Sequence, residues 1–186
     1  ISIFREKMKK IMMLCAIALS VSACVSTELS SANKPYNPSS DARIRLYGQN
    51  GRPTVLTIDP KGKAEKVVVG GGMGQSMASL FHLKGNESIG MPESEFSKNP
   101  SQFNNIGSNA FFKEFIVPAN VEIALKNTIN APAHVMKNAQ GNTVYQQYLS
   151  CDAGTLTFKP EAGKDYEAVP PPSTHQCGIR LIELQK

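Results

Sequence analysis

From Ala42 onward apolar residues recur at every second position rather than every third or fourth, and a period of two commits a chain to half-buried strands. In Ala42-Arg43-Ile44-Arg45-Leu46-Tyr47, Ile44 and Leu46 fall on one face while Arg43, Arg45 and Tyr47 fall on the other. The run stops at Gly48-Gln49-Asn50-Gly51, where Asn-Gly accepts the positive φ of a tight hairpin, so Pro53 to Ile58 is expected to return beside it. Asp59-Pro60-Lys61-Gly62 then closes that strand as a type I turn.

The same alternation recurs at Val121, Ile123 and Leu125, at Leu156 and Phe158, and at Ile179 and Leu181. Further strands are expected at Lys66 to Val69, Phe111 to Val117, Thr143 to Leu149 and Asp165 to Val169, about nine in all, separated by Gly, Asn and Pro turns. One short helix is expected where Met73, Met77 and Leu80 or Phe81 share a face. The pattern predicts a mainly β fold: a two-sheet β-sandwich of residues 42–186 as a single domain, with a small closed β-barrel as the alternative.

The start of the chain reads differently. Met8-Lys9-Lys10 is a short positive region, Ile11 to Val21 is apolar but too short to span a bilayer, and Ser22-Ala23 are small. Val21-Ser22-Ala23-Cys24 resembles the lipobox of bacterial lipoproteins, with Val at a position where Leu is commoner. The resemblance covers residues 8 to 24. It implies cleavage between Ala23 and Cys24 and a covalent lipid on the Cys24 thiol, and Val25 in place of Asp implies the outer membrane, with the domain in the periplasm.

On this reading residues 1–23 are a signal peptide, with translation expected to start at Met8 because Ile1 to Lys7 adds nothing that export requires. Two or three acyl chains make such an attachment lasting, since each buried CH₂ contributes about 0.8 kcal/mol. Residues 24–41 then form a lipidated Cys and a flexible tether, rich in Ser, Asn and Pro, spanning about 20 Å as a coil.

The cut also resolves the charge. The net charge of +5 includes +3 from the first 23 residues, which leaves +2 on the remainder with no Lys/Arg cluster and excludes a nucleic-acid partner. The partners expected are the membrane, through the lipid, and an envelope protein.

Of four Cys, Cys15 leaves with the signal and Cys24 carries lipid. Cys151 and Cys177 remain as an even pair in an oxidising compartment, and a bridge between them would contribute about 3.5 kcal/mol in the chain-entropy picture. The alternative is a metal pair with His175, although neither Cys lies in a Cys-x2-Cys unit.

No catalytic set emerges. Gly70-Gly71-Gly72-Met73-Gly74 lacks the Lys-Ser or Lys-Thr of a phosphate loop and reads as a bulged connection. Ser76 misses the nucleophile-elbow pattern, and His82, His134 and His175 stand in no triad order. Met73, Met77, His82 and Met91 offer soft thioether and imidazole ligands that would suit copper, against the reading that a Met stripe packs on the core. No other cofactor is expected.

The long segment Lys84 to Asn109 is rich in Asn and has no sustained period. Within it Met91, Phe96 and Phe103 are apolar residues in a polar loop: either a binding surface or anchors that tuck inward. The function that these features support is a non-enzymatic binding or assembly factor of the cell envelope, with a copper or small-ligand module as the alternative.

Overall fold

The computed structural model of the chain describes residues 29–71, 85–104, 108–173 and 175–185. Nine strands are formed among them: β1 (Asp41–Gly48), β2 (Thr54–Ile58), β3 (Glu65–Val69), β4 (Phe111–Pro118), β5 (Ile123–Lys137), β6 (Thr143–Asp152), β7 (Leu156–Phe158), β8 (Asp165–Val169) and β9 (Arg180–Leu184). One sheet runs in the order β4-β1-β8-β9, with β1 and β8 parallel and the other neighbours antiparallel. The second runs β3-β2-β5-β6, with β7 also on β5, and every pair in it is antiparallel. The architecture is a β-sandwich and not a closed barrel.

The alternation seen in the sequence builds the layer between the sheets. Ala42, Ile44 and Leu46 of β1 and Val117 of β4 share one buried cluster with Leu56, Val67, Val69, Ile123 and Leu125 of the other sheet. Each such aliphatic side chain contributes about 1.5–3 kcal/mol by leaving water. Tyr166 and Ala168 of β8 join the same cluster.

The expected hairpin between β1 and β2 is not formed. Asn50-Gly51 does make a tight turn, with Gln49 and Arg52 exchanging backbone hydrogen bonds at 3.3 and 3.2 Å and Gly51 at φ 77°. Both edges of β1 are nevertheless taken, by β4 and β8, and Pro53 has no N–H to carry the ladder on. The chain therefore crosses to the other sheet, where β2 pairs with β3 and β5.

That crossing explains part of the glycine run. A Cβ on Gly48 would lie 2.1 Å from the Val69 carbonyl oxygen, and Gly70 adopts φ +91° against the Gln49 backbone. Gly70-Gly71 is thus a close backbone crossing, with Gly51 N–H donating to Gly71 O at 2.7 Å.

The stretch read as tether is held to the domain from Leu29 onward. Leu29 is buried in the inter-sheet core. The Ser30 amide and hydroxyl both donate to the Glu65 carboxylate, and the Ser31 hydroxyl donates to Ile116 O at 2.7 Å. Asp41 then gathers the Lys34 ammonium at 2.9 Å and the Asn37 N–H at 3.0 Å, while the Arg43 guanidinium lies over the Tyr36 ring. A single apolar residue and a few polar pairs fix a segment whose composition reads as coil. The expected helix around Met73 and Met77 lies outside the described residues.

Candidate functional site

Arg43, Arg45 and Tyr47 stand on the outer face of the four-stranded sheet, opposite Ile44 and Leu46. That face is covered by residues 85–104, held largely by charged groups. Register sets Arg45 of β1 opposite Glu114 of β4 and Glu167 of β8, and sets Arg43 opposite Asp165. Arg43 binds Asp165 through two parallel bonds, Nε and Nη2 each 2.7 Å from a different oxygen. Arg45 donates from Nε and Nη2 to Glu114 Oε1 at 2.9 and 2.6 Å, and from Nη1 to Glu167 Oε1 at 3.1 Å.

The same groups hold the segment above them. Arg43 Nη1 donates to Gly90 O at 3.0 Å and Arg45 Nη2 to Pro92 O at 2.8 Å. Glu114 Oε2 accepts from Ile89 N–H and Met91 N–H at 2.7 and 3.2 Å, and from the Ser88 hydroxyl at 2.9 Å. Glu167 Oε1 takes the Tyr47 and Ser94 hydroxyls at 2.6 and 2.7 Å, and burial together with that acceptor pushes the Tyr47 phenol far up. Arg45, Tyr47 and Glu167 are all within 1% of complete burial.

These contacts answer the question left open by the sequence about Met91, Phe96 and Phe103. Met91 is 5% exposed and Phe103 1%; Phe103 stacks on the half-buried Phe96 and meets Tyr47 edge-on with ring centroids 5.1 Å apart. With Phe112 and Val169 they form a second small core outside the sheet. All three are anchors of the segment, and none provides the open apolar surface of a binding loop. The segment also holds the helix that the sequence reading missed, α1 (Glu95–Lys98), a single turn capped by Ser94 and Ser97.

Arg52 is a buried cation of another kind. It donates from Nη2 to Pro171 O and Gln176 O at 2.9 and 2.8 Å, while Nε and Nη1 have no hydrogen-bond partner. Burial pulls its guanidinium down to about 10. The loop it grips leads into Cys177, which forms a disulfide with Cys151 of β6 at a Cα separation of 5.9 Å. The bridge, rather than a metal pair, is what these two cysteines make, and it ties the base of β6 to the lead-in of β9.

The open apolar surface lies elsewhere. β5 pairs with β2 over Ile123 to Asn127, and Thr128 and Asn130 N–H still donate to Pro53 O and Gly51 O at 3.3 and 2.7 Å; beyond Asn130 it continues with β6 as a two-stranded arm. An Asx turn closes the tip: Asn138 Oδ1 accepts from Gln140 N–H and Asn142 N–H, each at 3.0 Å, and Gly141 sits at φ +80°. Register puts Met136 opposite Tyr145 on one face and Val135 on the other, while Val144 is the extra residue of a bulge between Thr143 and Tyr145. They are exposed by 52%, 49%, 39% and 62%, and they are four of the five large apolar side chains found exposed among the described residues.

A ribbon of two strands is marginal in water, and this one exposes apolar side chains on both faces. The sequence missed it because Asn127, Asn130 and Pro132 interrupt the alternation of β5, so that strand was expected to end near Lys126. The signal that could have found it is Thr143 to Leu149, a strand-like run with no charge.

Ala23, Cys24, Met73, Met77 and His82 lie outside the described residues. Met91, the remaining member of the soft-ligand group, gives its N–H to Glu114 from a buried position. Among the described residues no cluster of three or more His, Cys, Asp or Glu side chains is placed to hold a metal ion, and no helix is long and apolar enough to cross a membrane. No protein-family model matches the chain, and neither does any curated protein or solved structure.

Proposed function

We propose that this chain is a non-enzymatic, lipid-anchored binding or assembly module of the bacterial envelope. Cys24 holds it to the outer membrane, and the periplasmic sandwich presents the β5–β6 arm to another envelope protein. The observation that carries the reading is the arm, where Val135, Met136, Val144 and Tyr145 stand exposed on both faces of a ribbon that leaves the sandwich. The polar groups of the opposite sheet support a binding role over a catalytic one, because Arg45, Glu114 and Glu167 are spent on one another and on the covering segment.

The lipobox-like Val21-Ser22-Ala23-Cys24 supports the anchor. In the full chain only Cys24 to Glu28 separates that thiol from Leu29, the first residue packed on the core, so the sandwich would sit against the membrane surface.

The test is native electrophoresis of gently solubilised membranes. The wild-type chain is expected in a complex larger than its own mass. A variant with Val135→Ser, Met136→Gln, Val144→Thr and Tyr145→Ser is expected to remain folded and membrane-bound yet migrate alone, and Cys24→Ala is expected to leave the membrane fraction. Equal migration of the wild type and the arm variant would remove the arm from the account.

A further inference from the structure

We infer that the end of the inter-sheet layer around Arg52 and Asn127 is a binding site for a small oxyanion that carries a hydroxyl, hydrogenphosphate being the simplest. This goes beyond the arm and does not depend on it. The fold matches its other buried guanidinium groups with carboxylates: Arg43 with Asp165, and Arg45 with Glu114 and Glu167. Arg52, only 2% exposed, instead gives Nη2 to the carbonyls of Pro171 and Gln176, and its Nε and Nη1 are buried with no partner.

The chain itself supplies no counter-charge there. Every Asp and Glu beyond residue 28 lies among the described residues, and none of them acts on the Arg52 guanidinium, which burial alone pulls down. Water would satisfy the N–H groups and leave the cation unneutralised, a costly arrangement inside a protein. An oxyanion brings acceptor oxygens and the opposing charge together.

Strand register adds the second group. Thr128 N–H and Asn130 N–H donate to Pro53 O and Gly51 O, so β5 runs on beside this turn, with Arg52 across from Ile129 and diagonal to Asn127. Arg52, Thr54, Asn127 and Ile129 are all buried, and alternation sets them on the face that Leu56 and Leu125 turn to the core. The Asn127 amide nitrogen donates to Pro53 O and Thr54 Oγ1, which fixes the orientation of the amide and leaves Oδ1 buried with no partner. Two unpartnered donors on a cation and one unpartnered acceptor thus share one end of the layer. The oxygens of the anion suit Arg52, and its hydroxyl suits Asn127 Oδ1. Access is short, because Pro171 and Gln176, whose carbonyls Arg52 holds, are half-buried and exposed respectively.

The test is calorimetric titration of the full chain with inorganic phosphate at neutral pH, in chloride buffer of constant ionic strength, with sulfate as the oxyanion that has no proton to give. Saturable binding of phosphate is expected, with sulfate weaker by about tenfold, the effect of one buried acceptor left unpaired. Arg52→Met is expected to weaken phosphate binding by about tenfold or more, while Arg180→Met, at an exposed guanidinium, leaves it unchanged. Should Arg52→Met fail to fold, the NMR resonance of the Arg52 Nε–H in the wild-type chain decides the matter, since it is expected to move as phosphate saturates.

No saturable binding of phosphate at millimolar concentrations would overturn the inference and leave the two nitrogens to water. Binding that survives Arg52→Met, or that leaves the Arg52 resonance unmoved, would be that of an adventitious ion only and would overturn it as well. Binding at Arg52 with sulfate as tight as phosphate would overturn the part assigned to Asn127.

Discussion

Arg45 and Glu114 meet from directly opposite positions of β1 and β4, with two guanidinium nitrogens 2.9 and 2.6 Å from one carboxylate oxygen in a site closed to water. Such a pair is costly to break, because the group left behind is a buried charge without a partner. Arg45→Ala strands both Glu114 and Glu167 and is expected to lower the free energy of unfolding by about 3–5 kcal/mol in urea titration. Replacing all three by apolar residues of similar volume is expected to recover most of that loss. A loss under about 1 kcal/mol for Arg45→Ala would mean that the network does not hold the covering segment.

Tyr47→Phe removes one hydroxyl donor from Glu167 Oε1 and leaves the ring packing on Phe103 and Phe112 intact. Arg45 Nη1 and the Ser94 hydroxyl still donate to that oxygen, so the expected cost is that of one hydrogen bond to a charged group, about 1.5–3 kcal/mol. Glu167 Oε2 already lacks a partner, so little is available to compensate. Limited proteolysis is expected to cut between residues 85 and 104 sooner in this variant than in the wild type.

The loop of Pro171 to Cys177 is fastened twice, by the Arg52 Nη2 bonds and by the disulfide, and the two fastenings differ in net worth. Cys177→Ser with Cys151→Ser is expected to cost about 3.5 kcal/mol. Arg52→Met gives up two hydrogen bonds but also an unneutralised buried cation, and is expected to stay within about 1 kcal/mol of the wild type. Because the folded-state guanidinium is lowered to about 10, its penalty is fully present at neutral pH and is relieved only as pH rises above that value. Thermal melts of the two variants, side by side, check the contrast.

Acid is expected to loosen the N-terminal segment first. Burial alone would raise the Asp41 carboxyl, but Lys34, the Asn37 N–H and the Ser40 hydroxyl together hold it below its ordinary value. A carboxyl lowered on folding stabilises at pH above its unfolded value and loses that contribution as pH falls through the folded one. The protection of amides 30–41, measured against their intrinsic exchange rates, is therefore expected to fall below about pH 4. Asp41→Asn is expected to show the lower protection already at neutral pH, and no pH response there would contradict the assignment.

Much of the fold was legible because a period of two needs no tertiary information. All nine expected strands form, and Ile44, Leu46, Ile123 and Leu125 point to the core as their alternation requires. Topology was not legible: whether β2 returns beside β1 depends on β4 and β8 occupying its edges, and those strands come much later in the chain. Arg43, Arg45 and Tyr47 lie on the expected face, but no local pattern says that this face is covered. That depends on Glu114, Asp165 and Glu167 arriving at matching register positions. The Cys pairing was readable by count alone. The arm was not, since exposure of Val135 or Val144 follows from where β2 ends rather than from their own neighbours in sequence.

The most direct test of the account is a photoreactive side chain at Val144 or Met136, introduced one residue at a time in cells that make the full chain, with the exposed Glu161 as the control position. The account predicts a discrete protein adduct from Val144, and likewise from Met136, with none from Glu161. Adducts absent from both arm positions, or equal at all three, would contradict the claim that this arm is where the protein meets its partner.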